Sequence, residues 1–215
     1  FNVTIISVGV GFSYGQLGMS HHMTEDTAIM RALPNMTIVS PSTLDDVSNA
    51  IHALYALKSP SYIRLDKSFA ELNLKKNTFK LGHFQECTLG NDVTIISTGA
   101  IIEEVIKASN ILLKENISCK ILKCHTIKPI SVKNLKRHLK KTKKLITVEE
   151  GNVMGGLGGT IAEICLENNI KISSFLRIGI KDEYSEIVGD QNYLRKYYKI
   201  NSLNIVRTIK KFLKK

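Results

Sequence analysis

The chain has 215 residues, 43% of them hydrophobic, with four cysteines and a formal net charge of +11. That size and apolar content suit one large or two small globular domains with cores of their own. They exclude several classes: no apolar run approaches the roughly 18 residues of a membrane span, and no charged region, apolar stretch and cleavage site open the chain as in a signal peptide. Cys87, Cys119, Cys124 and Cys165 include no C-x-x-C pair and read as free thiols of a reducing compartment, so a cytoplasmic protein is the simplest expectation. The charge is uneven. Residues 1–86 hold 7 basic and 7 acidic side chains, whereas 87–215 hold 23 and 12. Lys140, Lys141, Lys143 and Lys144 cluster in a stretch without acids. These lysines interleave with apolar residues at helical spacing and lack an aromatic stacking platform. They read as solvated helix faces rather than a nucleic-acid site.

Strands and helices alternate along the chain, which argues for an α/β architecture. Asn2–Val8 reads as a strand, followed by a glycine-rich loop from Gly9 to Gly18. Thr24–Leu33 has helical spacing and stops before Pro34. Met36–Val39 is a short strand. Ser42 or Thr43 caps a helix that runs to about Leu57, with Asp45 and Asp46 in its first turn where the helix dipole favours anions. Ser61–Leu65 is another strand. From Asp66 to Gly90 the text is polar and broken, with a turn at Lys75-Lys76-Asn77 and an extended or hairpin segment at Phe79–Cys87. The domain boundary falls here, giving domains 1–86 and 87–215. The second domain reads as strand Asp92–Ser97, helix Ala100–Lys114, strand Ser118–Lys123, helix Val132–Lys141 and strand Lys144–Glu149. A helix from the Gly155–Gly159 run to about Asn168, a strand near Phe175–Ile178, and helices Gln191–Tyr197 and Ser202–Leu213 complete it. This order suits a three-layer domain with a largely parallel sheet. Asn2–Ser7 and Asp92–Ser97 are nearly the same six residues, which reads as coincidence between two generic buried strands.

Several motifs fail as sites. Gly155-Gly156-Leu157-Gly158-Gly159 opens a helix but lacks the Gly-Lys-Ser/Thr of a P-loop and the G-x-G-x-x-G spacing; close helix–strand packing explains it better. His21 and Glu25 would share a helix face, yet no third ligand group accompanies them, so no metal site is assigned. No G-x-S-x-G elbow occurs. A loop with four glycines that delivers His21 and His22 just before a helix is a stronger candidate. Glycine permits close backbone approach to a ligand, and α/β proteins keep polar chemistry on loops held by a rigid sheet.

Gly15-Gln16-Leu17-Gly18-Met19-Ser20-His21-His22, the acidic helix start at Glu25-Asp26, and Leu33-Pro34-Asn35-Met36 with a strand ending at Pro41 form one continuous stretch of about thirty residues. It resembles the pyrimidine-binding domain of the transketolase family. Pro60–Leu65 resembles the strand that closes that domain. Gly90–Gly99, Thr126-Ile127-Lys128-Pro129-Ile130, and Val148-Glu149-Glu150 with Gly155–Gly158 resemble the family's C-terminal domain in order. The resemblance implies part of a thiamine-diphosphate-binding (pyrimidine) domain followed by a three-layer transketolase C-terminal domain with a mostly parallel sheet.

It also implies thiamine diphosphate and Mg²⁺ in the complete enzyme and transfer of a two-carbon ketol unit between sugars or sugar phosphates. His21 aligns with a histidine that faces the reacting carbonyl, His22 with a secondary polar contact, and Lys67 lies near a substrate-phosphate-binding Arg. Gly9 stands where a phosphate-contacting His is expected, and Leu17 at a substrate position where an Asp reads a sugar hydroxyl. The glutamate that activates the aminopyrimidine is expected upstream of Phe1, and no Gly-Asp-Gly motif with a following Asn is present. The cofactor-binding and metal-ligating residues are therefore expected elsewhere, on an N-terminal transketolase domain or subunit, in a homodimer or heterotetramer. Two relatives of different reaction, 1-deoxyxylulose 5-phosphate synthase and the β-chain of 2-oxo-acid dehydrogenases, and a non-catalytic assembly fragment are the alternatives.

Overall fold

The computed structural model describes residues 1–72 and 79–214; the turn expected at Lys75-Lys76-Asn77 lies outside them. The first half contains strands β1 (Thr4–Val8), β2 (Thr37–Val39) and β3 (Ser61–Leu65) and helices α1 (Asp26–Ala32) and α2 (Leu44–Leu57). The second half contains β4 (Gln85–Thr88), β5 (Val93–Ser97), β6 (Cys119–Lys123), β7 (Thr126–Lys128), β8 (Lys144–Asn152) and β9 (Ser174–Ile180). Its helices are α3 (Ile102–Leu113), α4 (Val132–Leu139), α5 (Leu157–Glu167), α6 (Gln191–Tyr197) and α7 (Ser202–Leu213).

The strands form two sheets, ordered β1-β3-β2-β7 and β4-β6-β5-β8-β9. Both are parallel except at one edge: β7 runs antiparallel to β2, and β4 antiparallel to β6. β7 crosses the expected division, because its sequence lies in the second half and its hydrogen bonds lie in the first sheet. The sequence reading did not contain this three-residue strand; Thr126 and Ile127 favour extended backbone, but a run so short is marked as a strand only by its pairing with β2.

Period-two alternation builds the second domain's three layers. Ile95, Ile121 and Ile146 face a core with α3 and α7, while Ile96, Leu122 and Leu145 face α4 and α5. α2 begins as its sequence predicts: Thr43 Oγ1 accepts the Asp46 N–H, and the Asp46 carboxylate accepts the Thr43 N–H, a capping box. The near-identical strands part company. β5 is buried along its whole length, between β6 and β8 and under helices on both faces, whereas β1 pairs only with β3 and leaves Ile5 and Ile6 41% and 57% exposed. The expectation of two buried strands therefore holds for β5 alone, because burial of a parallel strand comes from its neighbours and not from its own residues.

Candidate active site

The carboxyl ends of β1 and β3 meet where the Gly9 N–H donates to the Leu65 carbonyl at 2.9 Å. The chain then leaves β1 as a loop that closes on itself. Gly11 and Met23 exchange both backbone hydrogen bonds, at 2.8 and 2.9 Å, and two short 3-10 turns, Gly15–Leu17 and Met19–His21, lie between them. Positive φ at Gly9, Gly11 and Gly18 makes this path possible. At Gly9 a Cβ would sit 1.8 Å from the Tyr14 ring. The ring thus fills the space that any side chain at position 9 would need.

His21 ends the second turn on the surface, with its Nδ1 3.0 Å from Ser20 Oγ. His22 is buried: its Nε2 contacts the Gly15 carbonyl at 3.0 Å and its ring packs edge-on against Phe12. Both histidines line a cavity of about 520 Å³ whose other walls include Ile5, Val8, Tyr14, Glu25, Met30 and Tyr62. Beneath it Asp26 accepts from Tyr62 Oη and Arg64 Nε, each at 2.8 Å. Burial, reinforced by the Asp26 charge, pushes the Tyr62 hydroxyl far above its ordinary value, so it stays a protonated donor. Burial alone would lower Arg64, but Asp26 outweighs it and holds the guanidinium charged.

The other residues singled out from sequence lie apart from this cavity. Lys67 places its ammonium 4.7 Å from the Tyr14 ring centroid and so adjoins the cavity through Tyr14. Leu17 is exposed on the first 3-10 turn and is not among the lining residues. The glycine run before α5 is closed by the protein itself: the Leu157 and Gly158 N–H groups donate to the Glu149 carboxylate, and a Cβ at Gly158 would meet Arg177 and Thr147 at 2.7 Å. That agrees with close packing and leaves no free anion site there.

Sequence reading missed a set of buried charges behind the loop. Glu150, Asp66, Gln191 and Arg195 come from β8, the end of β3 and α6. The Arg195 guanidinium pairs with Glu150 at 2.5 Å and lies 3.6 Å from Asp66, while Gln191 donates to both carboxylates. Only the Glu149-Glu150 pair stood out in the sequence, and its partner in α6 is 45 residues away. Among the described residues, no three His, Cys, Asp or Glu side chains converge as metal ligands, and no helix is long and apolar enough to cross a membrane.

An open parallel sheet that offers a histidine pair from a glycine-rich loop at its strand ends, braced by a second α/β domain, defines a two-domain protein with a loop-borne polar site. Comparison with known proteins gives the family. The model of the transketolase pyrimidine-binding domain matches residues 1–71, and that of the transketolase C-terminal domain matches residues 82–205. The chain is 36% identical over its full length to 67% of a Methanocaldococcus jannaschii protein provisionally named a transketolase C-terminal section. It is 30% identical, again over its full length, to 68% of a subunit of the apulose-4-phosphate transketolase of Phocaeicola vulgatus. Among solved structures, a split gene transketolase described as an inactive beta4 tetramer superposes with a TM-score of 0.85 at 28% identity, covering all of this chain and 67% of that one. The chain belongs to the transketolase family, and it spans about two thirds of the length of these relatives.

Proposed function

We propose that this chain supplies the substrate-facing wall and the C-terminal domain of a two-part, thiamine-diphosphate-dependent transketolase that moves a ketol unit between sugars or sugar phosphates. The observation that carries the reading is the cavity with His21 at its surface and the unpaired apolar strand β1 as one wall. Such a strand lacks a neighbour on one side, and further polypeptide from the same gene or a partner subunit would complete both sheet and site. The names of the relatives, one a transketolase subunit and another a split gene product, support the same division.

The cofactor does not fit this chain alone. The cavity lining contains neither Lys nor Arg to meet a diphosphate, and the described residues offer no metal cluster. The contribution assigned here is polar: His21 donates to a substrate oxygen that gains negative charge, while His22, held between Phe12 and the Gly15 carbonyl, fixes the loop behind it. Lys67, beside Tyr14, is assigned to the more distant part of the sugar, where Lys keeps a charge without the bidentate fork of Arg, and Leu17, exposed on the loop outside the cavity lining, would meet substrate only beyond the cavity's edge.

The test mixes the chain with the product of the neighbouring gene, thiamine diphosphate and Mg²⁺, and follows ketol transfer to an aldose. The reading requires that His21→Ala lower kcat/KM by about 100-fold or more. Full activity in that variant removes His21 from the chemistry. Release of CO₂ from a 2-oxo acid in place of ketol transfer would assign the reaction to the synthase or dehydrogenase branch.

A further inference from the structure

Both feet of the His21 loop converge on one residue of the C-terminal domain. At the leading foot, the Phe12 N–H donates to Glu150 Oε1 at 2.8 Å, and a Cβ at Gly11 would lie 2.7 Å from that same oxygen. At the trailing foot, one Arg64 nitrogen donates to the Met23 carbonyl at 3.1 Å and to the Glu150 carbonyl at 2.9 Å. Two residues further along β8, the Asn152 N–H donates to the Thr24 carbonyl at 2.7 Å. Glu150 thus touches one foot with its carboxylate and is tied to the other through its backbone.

The carboxylate is itself held from behind by α6. The half-buried Gln191 donates from Nε2 to Oε1 at 2.9 Å, and Arg195 Nε pairs with Oε2, with the Glu150 and Arg195 side chains both buried. The same helix and the residues flanking it support the loop directly. The Gly189 N–H donates to the Gly15 carbonyl at 3.3 Å, a Cβ at Gly15 would collide with Leu194, and the Phe12 ring stacks on Tyr198 at 5.1 Å. From Gly15 the path to the imidazoles is short. Its carbonyl meets His22, and the Gly18 carbonyl that ends the same turn accepts the His21 N–H at 2.9 Å.

We propose that Glu150 is a positioning residue for the candidate active site. Backed by Gln191 and Arg195, it fixes the loop from the C-terminal domain, so that this domain sets where His21 points although it contributes no group to the cavity. The alternative for a buried ion pair is general scaffolding, in which a lost charge loosens the whole domain. The two differ in which histidines feel a change.

The experiment uses the full chain labelled with ¹³C-histidine, whose six imidazoles report separately. In Glu150→Gln the Cε1–Hε1 peaks of His21 and His22 are expected to shift by about 0.1 ppm or more in ¹H, or to broaden, while those of His52, His83 and His138 stay in place. Unmoved His21 and His22 peaks, or equal movement of all six, overturn the proposal. If Glu150→Gln does not fold, Gln191→Met, which removes the amide's hydrogen bonds to Glu150, Asp66 and Ser68 and leaves the Arg195–Glu150 pair in place, decides it by the same criterion. In the assembled enzyme a fall in kcat of about tenfold with KM for the aldose nearly unchanged is expected. That kinetic arm rests on the function proposed for His21, whereas the peak positions report the loop whether or not His21 is catalytic.

Discussion

Lys123 and Asp46 meet in the interior, with neither side chain reaching solvent: Nζ lies 2.7 Å from one carboxylate oxygen and 2.8 Å from the other. Lys123 ends β6 of the second sheet, and Asp46 stands in the first turn of α2 under the first. The pair joins the two halves of the chain, and Asp46 also accepts from the Ser42 and Thr43 N–H groups. A charge so placed is tolerable only while its partner is present.

Removing one partner should therefore cost more than removing both. Asp46→Asn leaves a buried ammonium facing an amide and is expected to destabilise the chain by about 3–5 kcal/mol. Lys123→Met in the same background should recover a substantial part of that loss. Urea midpoints of the two single variants and the double variant measure the coupling; additive effects would show that the pair carries no interaction of its own.

Glu149 gives a pH dependence. Burial raises its carboxyl to about 7, above the ordinary value of 4.5, although the Leu157 and Gly158 N–H groups that it caps favour the charged form. Between those values the folded chain holds a proton that the unfolded chain has released. This contribution to stability is present below pH 4.5 and is lost as pH rises toward 7. Glu149→Gln keeps an acceptor but cannot titrate. The stability advantage of the native residue over Gln should shrink by about 3 kcal/mol between pH 4.5 and pH 8. A constant difference across that range in thermal or urea unfolding would contradict the assignment.

Tyr14 and Gly9 compete for one volume. Gly9 has φ of +94°, and a methyl group there would overlap the Tyr14 ring. Gly9→Ala should cost about 1–3 kcal/mol and displace the ring from the cavity wall. In a Tyr14→Ala background only the backbone strain remains, so the penalty should fall by about 1 kcal/mol or more. Equal penalties in the two backgrounds would show that the ring yields freely.

The legible parts of this chain are those governed by local pattern. Short apolar runs in β5, β6 and β8, alternating with helical segments, marked the second sheet, the Thr43–Asp46 spacing marked the start of α2, and the glycines before His21 marked the loop. The missed parts depend on distant residues. β7 has three residues and is marked as a strand only by its pairing with β2, and the 3-10 turns around His21 are set by backbone contacts that leave little trace in composition. Glu150 lies next to an acid that caps a helix, and nothing at its own position separates a helix cap from a loop anchor. Its function follows from Phe12 and Arg195, which come from opposite ends of the chain.

The repeated strand text turns this limit into a test. Ile96 of β5 is fully buried, whereas Ile6 at the equivalent place in β1 is 57% exposed. A charge at Ile96 must be desolvated inside a packed core, so Ile96→Lys is expected to cost about 4 kcal/mol or more and to lose the folded chain. At Ile6 the long lysine stem can lie along the strand with its ammonium in water, and Ile6→Lys should change the isolated chain's stability by no more than about 0.5 kcal/mol. The proposed function adds a second expectation, because β1 is where further polypeptide would complete the sheet. Ile6→Lys should then weaken association with the complementary subunit by about tenfold or more in sedimentation and lower reconstituted ketol transfer in parallel. Assembly and activity equal to those of the native chain would show that β1 stays at the surface and that the complement docks elsewhere.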